Sequence, residues 1–106
     1  MRQIERDMNR AIRHRKNMSK QNTSVRCYRE EIEVRLHGNL IGTVDTASNQ
    51  LRIFDGGWQT VTTKSRLNAL CDEFATGMGI FQKDWVWYVS DRLTGQVVPF
   101  ISGMTV

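Results

Sequence analysis

Asp55-Gly56-Gly57-Trp58-Gln59-Thr60-Val61-Thr62-Thr63-Lys64-Ser65-Arg66-Leu67-Asn68-Ala69-Leu70 decides how this 106-residue chain is read. It holds the only double glycine and then passes into the clearest helical pattern of the sequence. Leu67, Leu70, Cys71 and Phe74 recur at i, i+3, i+4 and i+7, one apolar stripe. Lys64, Asn68 and Asp72 lie on the opposite face. Thr62 or Thr63 can cap the start by accepting a first-turn N–H, and Gly77 suits a left-handed cap at the far end. The glycines permit a tight reversal after a strand. This geometry predicts a helix start within two residues of Thr63. It also predicts Trp58 partly buried at the seam between sheet and helix, and Lys64 and Arg66 open to water.

A helix N-terminus carries unpaired N–H groups and partial positive charge. Thr62, Thr63, Lys64 and Arg66 at this end therefore form a candidate site for a phosphate or carboxylate. An ordinary capped helix is the simpler reading, because capping alone explains the threonines. The stretch is not a Walker loop, because no Gly-Lys-Ser/Thr follows at the required spacing.

Outward from this centre the pattern is β. Val25 and Cys27 alternate with polar neighbours, as do Ile32, Val34 and Leu36. Gly38-Asn39 reads as a hairpin turn. Leu40–Val44 returns, with Gly42 a bulge or a point of close approach, and Leu51–Phe54 ends at the double glycine. Beyond the helix, Ile80-Phe81 and Trp85–Val89 form an aromatic strand. Arg92–Gly95 is a loop, and Val97–Ile101 closes the sheet at an edge, since Pro99 lacks a donor. The fold class is α+β in two layers: an antiparallel meander of four to six strands packed by one central helix. Trp85, Trp87 and Val89 share one face of their strand, Val86 and Tyr88 the other. One face belongs to the core, as buried Trp usually does, and the second is left for binding. Trp58, Trp85, Trp87 and Tyr88 are the candidates for a protein interface.

The N-terminus adds a basic helix over residues 2–18, with Ile4, Met8, Ala11, Ile12 and the stem of Arg15 on its apolar side. Met18–Ser24 reads as a linker. Residues 1–20 thus form a helical arm and residues 21–106 one domain. The first twenty residues carry seven basic and two acidic side chains, and the rest carry eight and nine. The excess positive charge therefore resides in Arg2, Arg6, Arg10, Arg13, Arg15, Lys16 and Lys20. Like charges at i, i+4 repel by a few tenths of a kcal/mol, so packing below or an anion above must hold that face.

Other chemistries find no support in the residue pattern. There is no nucleophile elbow, no metal-binding helix motif and no framed pair of carboxylates, so neither catalytic residues nor cofactor or metal ligands are assigned. Cys27 and Cys71, together with His14 and His37, lack zinc spacing. The cysteines read as buried hydrophobes in a reducing compartment. No apolar run approaches the ~20 residues of a membrane span.

"LHGNLIGTVD", "GGWQTVTTKSRLNAL", "FQKDWVWYVSD" and "FISGMTV" resemble a family of small bacteriophage and viral-metagenome proteins to which no activity is assigned. The resemblance covers residues 22–106. It implies a viral origin and a short α+β domain, and it transfers no catalytic residue; with the reducing compartment read from the cysteines, the expected location is the cytoplasm of an infected bacterium. Two functions follow as expectations. The first is a non-enzymatic protein that contacts DNA or RNA through Arg2, Arg6, Arg10, Arg13, Lys16, Lys20 and the Thr62–Arg66 helix start. The second is an inhibitor or adaptor that binds a host protein through an exposed aromatic surface.

Overall fold

Strict alternation builds the main sheet. In the computed structural model, which describes residues 1–106, the strand Glu31–Leu36 (β3) buries Ile32, Val34 and Leu36 and leaves Glu31, Glu33 and Arg35 half-exposed. It pairs on one side with Thr23–Cys27 (β2) and on the other with Asn39–Asp45 (β4). Met18–Lys20 (β1) extends the sheet beyond β2, and Leu51–Ile53 (β5) lies beyond β4. The C-terminal strand Met104–Thr105 (β9) pairs with β5, giving the antiparallel order β1-β2-β3-β4-β5-β9. The expected linker at Met18–Ser24 is therefore β1, a turn and the start of β2; polar residues suffice for a strand at a sheet edge.

The β3–β4 turn falls on His37-Gly38, at φ 51° and 79°, one residue before the expected position. Positive φ at both central residues gives the hairpin turn that matches strand twist. Just after it the register shifts between Val34 and Arg35, so Ile41 is extra on β4. Gly42 follows at a point of close approach: a Cβ there would lie 2.9 Å from Leu70 Cδ1.

Leu70 belongs to the central helix, Val61–Phe74 (α2). Its cap is Thr60, not Thr62 or Thr63; the Thr60 hydroxyl accepts the Thr63 N–H at 3.1 Å. The helix stops at Phe74, and Gly77 (φ +90°) serves the turn that follows. Leu67, Leu70 and Cys71 are buried as the stripe requires, with Phe74 packed half-buried against the core.

The N-terminal helix, Gln3–Arg13 (α1), is shorter than expected and is not an arm. Met8 and Ile12 are buried in the same core as α2 and the sheet. Glu5 meets Ser65 and Arg66, Asn9 meets Ala69, and Arg13 meets Glu73. These contacts advance together along both helices, so α1 and α2 run side by side in the same direction across one face of the sheet. Arg15 lies past the helix end at φ 53°; the Arg15 N–H donates to Ile12 O and the Lys16 N–H to Ala11 O. That is a Schellman closure with arginine where glycine is usual.

The strands after α2 form a second sheet rather than closing the first. Met78–Lys83 (β6), Val86–Asp91 (β7) and Val97–Pro99 (β8) pair antiparallel in that order, with Pro99 on the edge strand as expected. Ile80, Trp87 and Val89 are buried in the common core, and Trp87 meets Phe100 edge-on at 5.4 Å between ring centroids. Asn68 of α2 binds the backbone of β6 like a neighbouring strand: its amide donates to Ile80 O at 3.0 Å and accepts the Ile80 N–H at 2.8 Å.

Candidate functional site

The second sheet has one covered and one uncovered face. Register places Phe81, Tyr88 and Pro99 in one row across β6, β7 and β8, flanked by Val86 opposite Lys83 and by Val97 opposite Ser90. The Phe81 and Tyr88 rings stack at 5.5 Å. Phe81, Val86, Val97 and Pro99 are exposed, while Tyr88 is half-buried beneath its partner ring. Alternation has sent Ile80, Trp87 and Val89 the other way, so no further apolar side is available to hide these residues.

Trp85 stands at the tip of this sheet. It was expected on the strand beside Trp87; instead Asp84 and Trp85 are the two central residues of the β6–β7 turn, at φ 52° and 68°. The strand pattern is broken because Lys83 pairs with Val86, which leaves exactly two residues for the reversal. Trp85 is 89% exposed. A left-handed conformation is unfavourable for a bulky residue, and turns of this kind take Gly or Asn at the second position. Trp58 was likewise expected at the seam and is instead 71% exposed, because the Asp55-Gly56-Gly57 turn directs it outward. It lines a cavity of about 360 Å³ with His37, Asn39, Asp55, Thr60 and Thr62.

Arg66 does not open to water. It is 3% exposed and tied to Glu5 at 2.8 Å, to the Thr23 hydroxyl at 3.1 Å and to Asn22 Oδ1 at 3.3 Å. Glu5 also accepts from the Ser65 hydroxyl at 2.6 Å and from the Arg2 N–H at 3.1 Å. Burial alone would raise the Glu5 pKa; the bonds from Ser65, Arg2 and Arg66, with the Arg66 charge, outweigh it and hold the carboxyl below its ordinary value. Thr63 is buried too, and Lys64 is half-buried. Arg66 and Thr63 therefore leave the anion-binding set: the helix turns position 66 inward, where one carboxylate consumes its charge. The sequence carried a signal for this, since Glu5 is the one acidic residue of the first turn of α1, but nothing local pairs it with a residue 61 positions away.

The α1 cations separate into spent and unspent. Arg13 pairs with Glu73 at 2.9 Å, Lys20 with Asp7 at 2.8 Å, and Arg15 donates to Thr46 O at 2.9 Å. Arg6, Arg10 and Lys16 are exposed and make no side-chain hydrogen bond or ion pair, and Arg2 is exposed at the helix cap. Arg10, His14, Lys16 and Lys20 line one groove between α1 and β1. Cys27 and Cys71 are both free; burial, with Asp72 beside it, pushes the Cys71 thiol up to about 12, too high for a nucleophile. No helix is long and apolar enough to cross a membrane.

The chain belongs to the Kyanoviridae Gp96 protein family, a phage family whose model matches residues 1–106. The match includes the N-terminal twenty residues that the sequence resemblance had left out, in keeping with α1 as part of the core. No curated protein and no solved structure matches the chain.

Proposed function

We propose that this phage protein binds another protein through the uncovered face of its second sheet, with Trp85 as the anchor. The observation that carries this reading is the placement of Trp85. A large apolar side chain is held almost wholly in water at a strained turn position where glycine would be easier. Strain of this kind gathers at sites of function. Trp, Tyr and Arg dominate interface hot spots, and interface centres are poor in charge. The adjoining face fits that description, offering Phe81, Tyr88, Val86, Val97 and Pro99 with one lysine.

The mode is face and tip, not edge. Asn68 occupies both backbone groups of Ile80 on the free side of β6, and Pro99 removes a donor from β8. Both edges are thus poor templates for an added strand. Two six-residue strands and the three-residue β8 span at most about 14 by 20 Å, smaller than the ~800 Å² that each partner of a standard interface buries. A protruding indole compensates by entering a pocket, so the partner carries an apolar cleft. An inhibitor or adaptor of a host protein fits this mode. The ridge needed for nucleic acid, running from α1 to Lys64 and Arg66, is interrupted because Arg66 is internal.

The test is capture from nuclease-treated lysate of host cells, using wild type, Trp85→Gly and Phe81→Ser/Tyr88→Ser in parallel. A stoichiometric protein retained by wild type and lost by both variants supports the reading. Equal retention by folded Trp85→Gly overturns it.

A further inference from the structure

The groove between α1 and β1 gathers positive charge from three separate segments. Arg10 comes from the helix, Lys16 from the segment after it, and Lys20 from β1, with His14 beside them. The groove measures about 270 Å³ and its one carboxylate is Asp7. The Lys20 ammonium and the Gln3 amide bind Asp7 and, with the nearby Arg10 charge, hold its pKa low, so it stays charged; of the cations only Lys20 is bonded to it. Arg10 and Lys16 retain their full donor capacity, as no side-chain bond uses them. The dipole of α1 accounts for cations in its last turn, but Lys16 and Lys20 lie beyond the helix. Lys16 is brought back by the left-handed Arg15 and the bond from Lys16 N–H to Ala11 O at 2.9 Å.

We propose that this groove binds phosphate groups, with Arg10 as the planar fork and Lys16 as a point charge, while Lys20 is held in reserve by Asp7. Phosphate suits the arrangement because its several oxygens accept from donors converging on different sides, and a guanidinium matches two of them at once. The site is separate from the aromatic face and does not depend on the function proposed for it. The phosphate can belong to a nucleic-acid backbone or to a free phosphate compound, and two probes tell these apart.

The experiment is anisotropy with a labelled 12-nucleotide single strand at 20 and 200 mM salt, and calorimetry with pyrophosphate at 20 mM. Two neutralised phosphates, at Arg10 and Lys16, give a slope of about −1.4 in log affinity against log salt, so binding should fall about 25-fold over that range. Arg10→Gln/Lys16→Gln should remove most of that fall, leaving less than about twofold. Asp7→Asn should tighten binding, because it frees Lys20 and removes the opposing charge. Oligonucleotide binding with this pattern assigns the groove to a nucleic-acid backbone. Pyrophosphate binding alone, lost in the double variant, assigns it to free phosphates. The proposal is overturned by the absence of binding to either probe, by a folded double variant that binds as wild type, or by Asp7→Asn binding more weakly.

Discussion

Trp85→Gly separates a residue kept for binding from one kept for stability. The indole is 89% exposed. If a Trp side chain buries up to ~250 Å², about 27 Å² is lost to water here, or about 0.7 kcal/mol at 25 cal/mol per Å². Against this, glycine removes the left-handed penalty of a bulky residue, about 1–2 kcal/mol. Its greater freedom in the unfolded chain takes back about 0.5–1 kcal/mol. The three terms nearly cancel, so the variant should melt within a few degrees of wild type, given that 1 kcal/mol shifts a domain of this size by about 4–8 °C. Partner binding should fall at least ~30-fold, because a hot-spot residue contributes 2 kcal/mol or more. Calorimetric melting and binding to the captured partner give the two readouts. A melting temperature lowered by more than ~10 °C would show that Trp85 holds the hairpin together. Unchanged affinity in a folded variant would remove it as the anchor.

The pair Lys64 and Arg66 should now behave oppositely. Arg66→Ala leaves Glu5 charged and buried and should cost about 3–5 kcal/mol, whereas Lys64→Ala should stay within about 0.5 kcal/mol; urea melts of each check this, and equal losses would contradict the burial of Arg66. The same ion pair sets an acid limit. The folded-state pKa of Glu5 lies below its ordinary 4.5, so its stabilisation is complete above that value and disappears as pH falls through the lowered one. Glu5→Gln should therefore be less stable at neutral pH yet lose less further stability below pH 4.5, seen in melts from pH 7 to 3; parallel curves would refute the assignment. Asn68→Ala should strand the Ile80 N–H and C=O and cost about 1–3 kcal/mol, while freeing the β6 edge; light scattering should detect more self-association than in wild type, and a variant with wild-type stability and wild-type scattering would show that Asn68 does not guard the edge.

What the sequence made legible was periodic. The stripe Leu67, Leu70, Cys71, Phe74 and the alternation Ile32, Val34, Leu36 each appear in the structure on the side they predict. The failures occurred where one residue changes the direction of the chain. Trp85 matches a strand by composition, but a two-residue turn at Asp84-Trp85 removes it from the face of Trp87. No glycine marks that turn, so the usual signal is missing. Arg66 matches a solvated helix start, but its partner Glu5 lies on the other helix, and only the parallel packing of α1 on α2 brings them together. The N-terminal segment looked like an arm because its apolar stripe is thin. In the fold Glu5 and Asn9 complete that stripe through hydrogen bonds to α2, a contribution that hydropathy does not count.

The uncovered face follows from how the helices are used. The chain has two, and both lie on the same side of the six-stranded sheet, joined by Glu5–Arg66, Asn9–Ala69 and Arg13–Glu73. When β6 leaves α2, the Asn68 bonds to Ile80 fix its edge against that helix, and β6, β7 and β8 can turn only one side to the core. After β8 the remaining residues return to pair β9 with β5, so they too are used by the first sheet. None of the elements in residues 1–106 covers Phe81, Val86, Val97 and Pro99, and Tyr88 stays half-buried. A surface that only had to stay soluble would carry charge there, as the outer side of the first sheet does with Arg26, Glu33 and Arg52 in one row across β2, β3 and β5, Thr43 of β4 lying between Glu33 and Arg52. The same chain thus treats two solvent-facing sheet surfaces differently, charging one and leaving the other aromatic. Physical need for a core explains neither choice, and the proposed contact with a partner would account for the second.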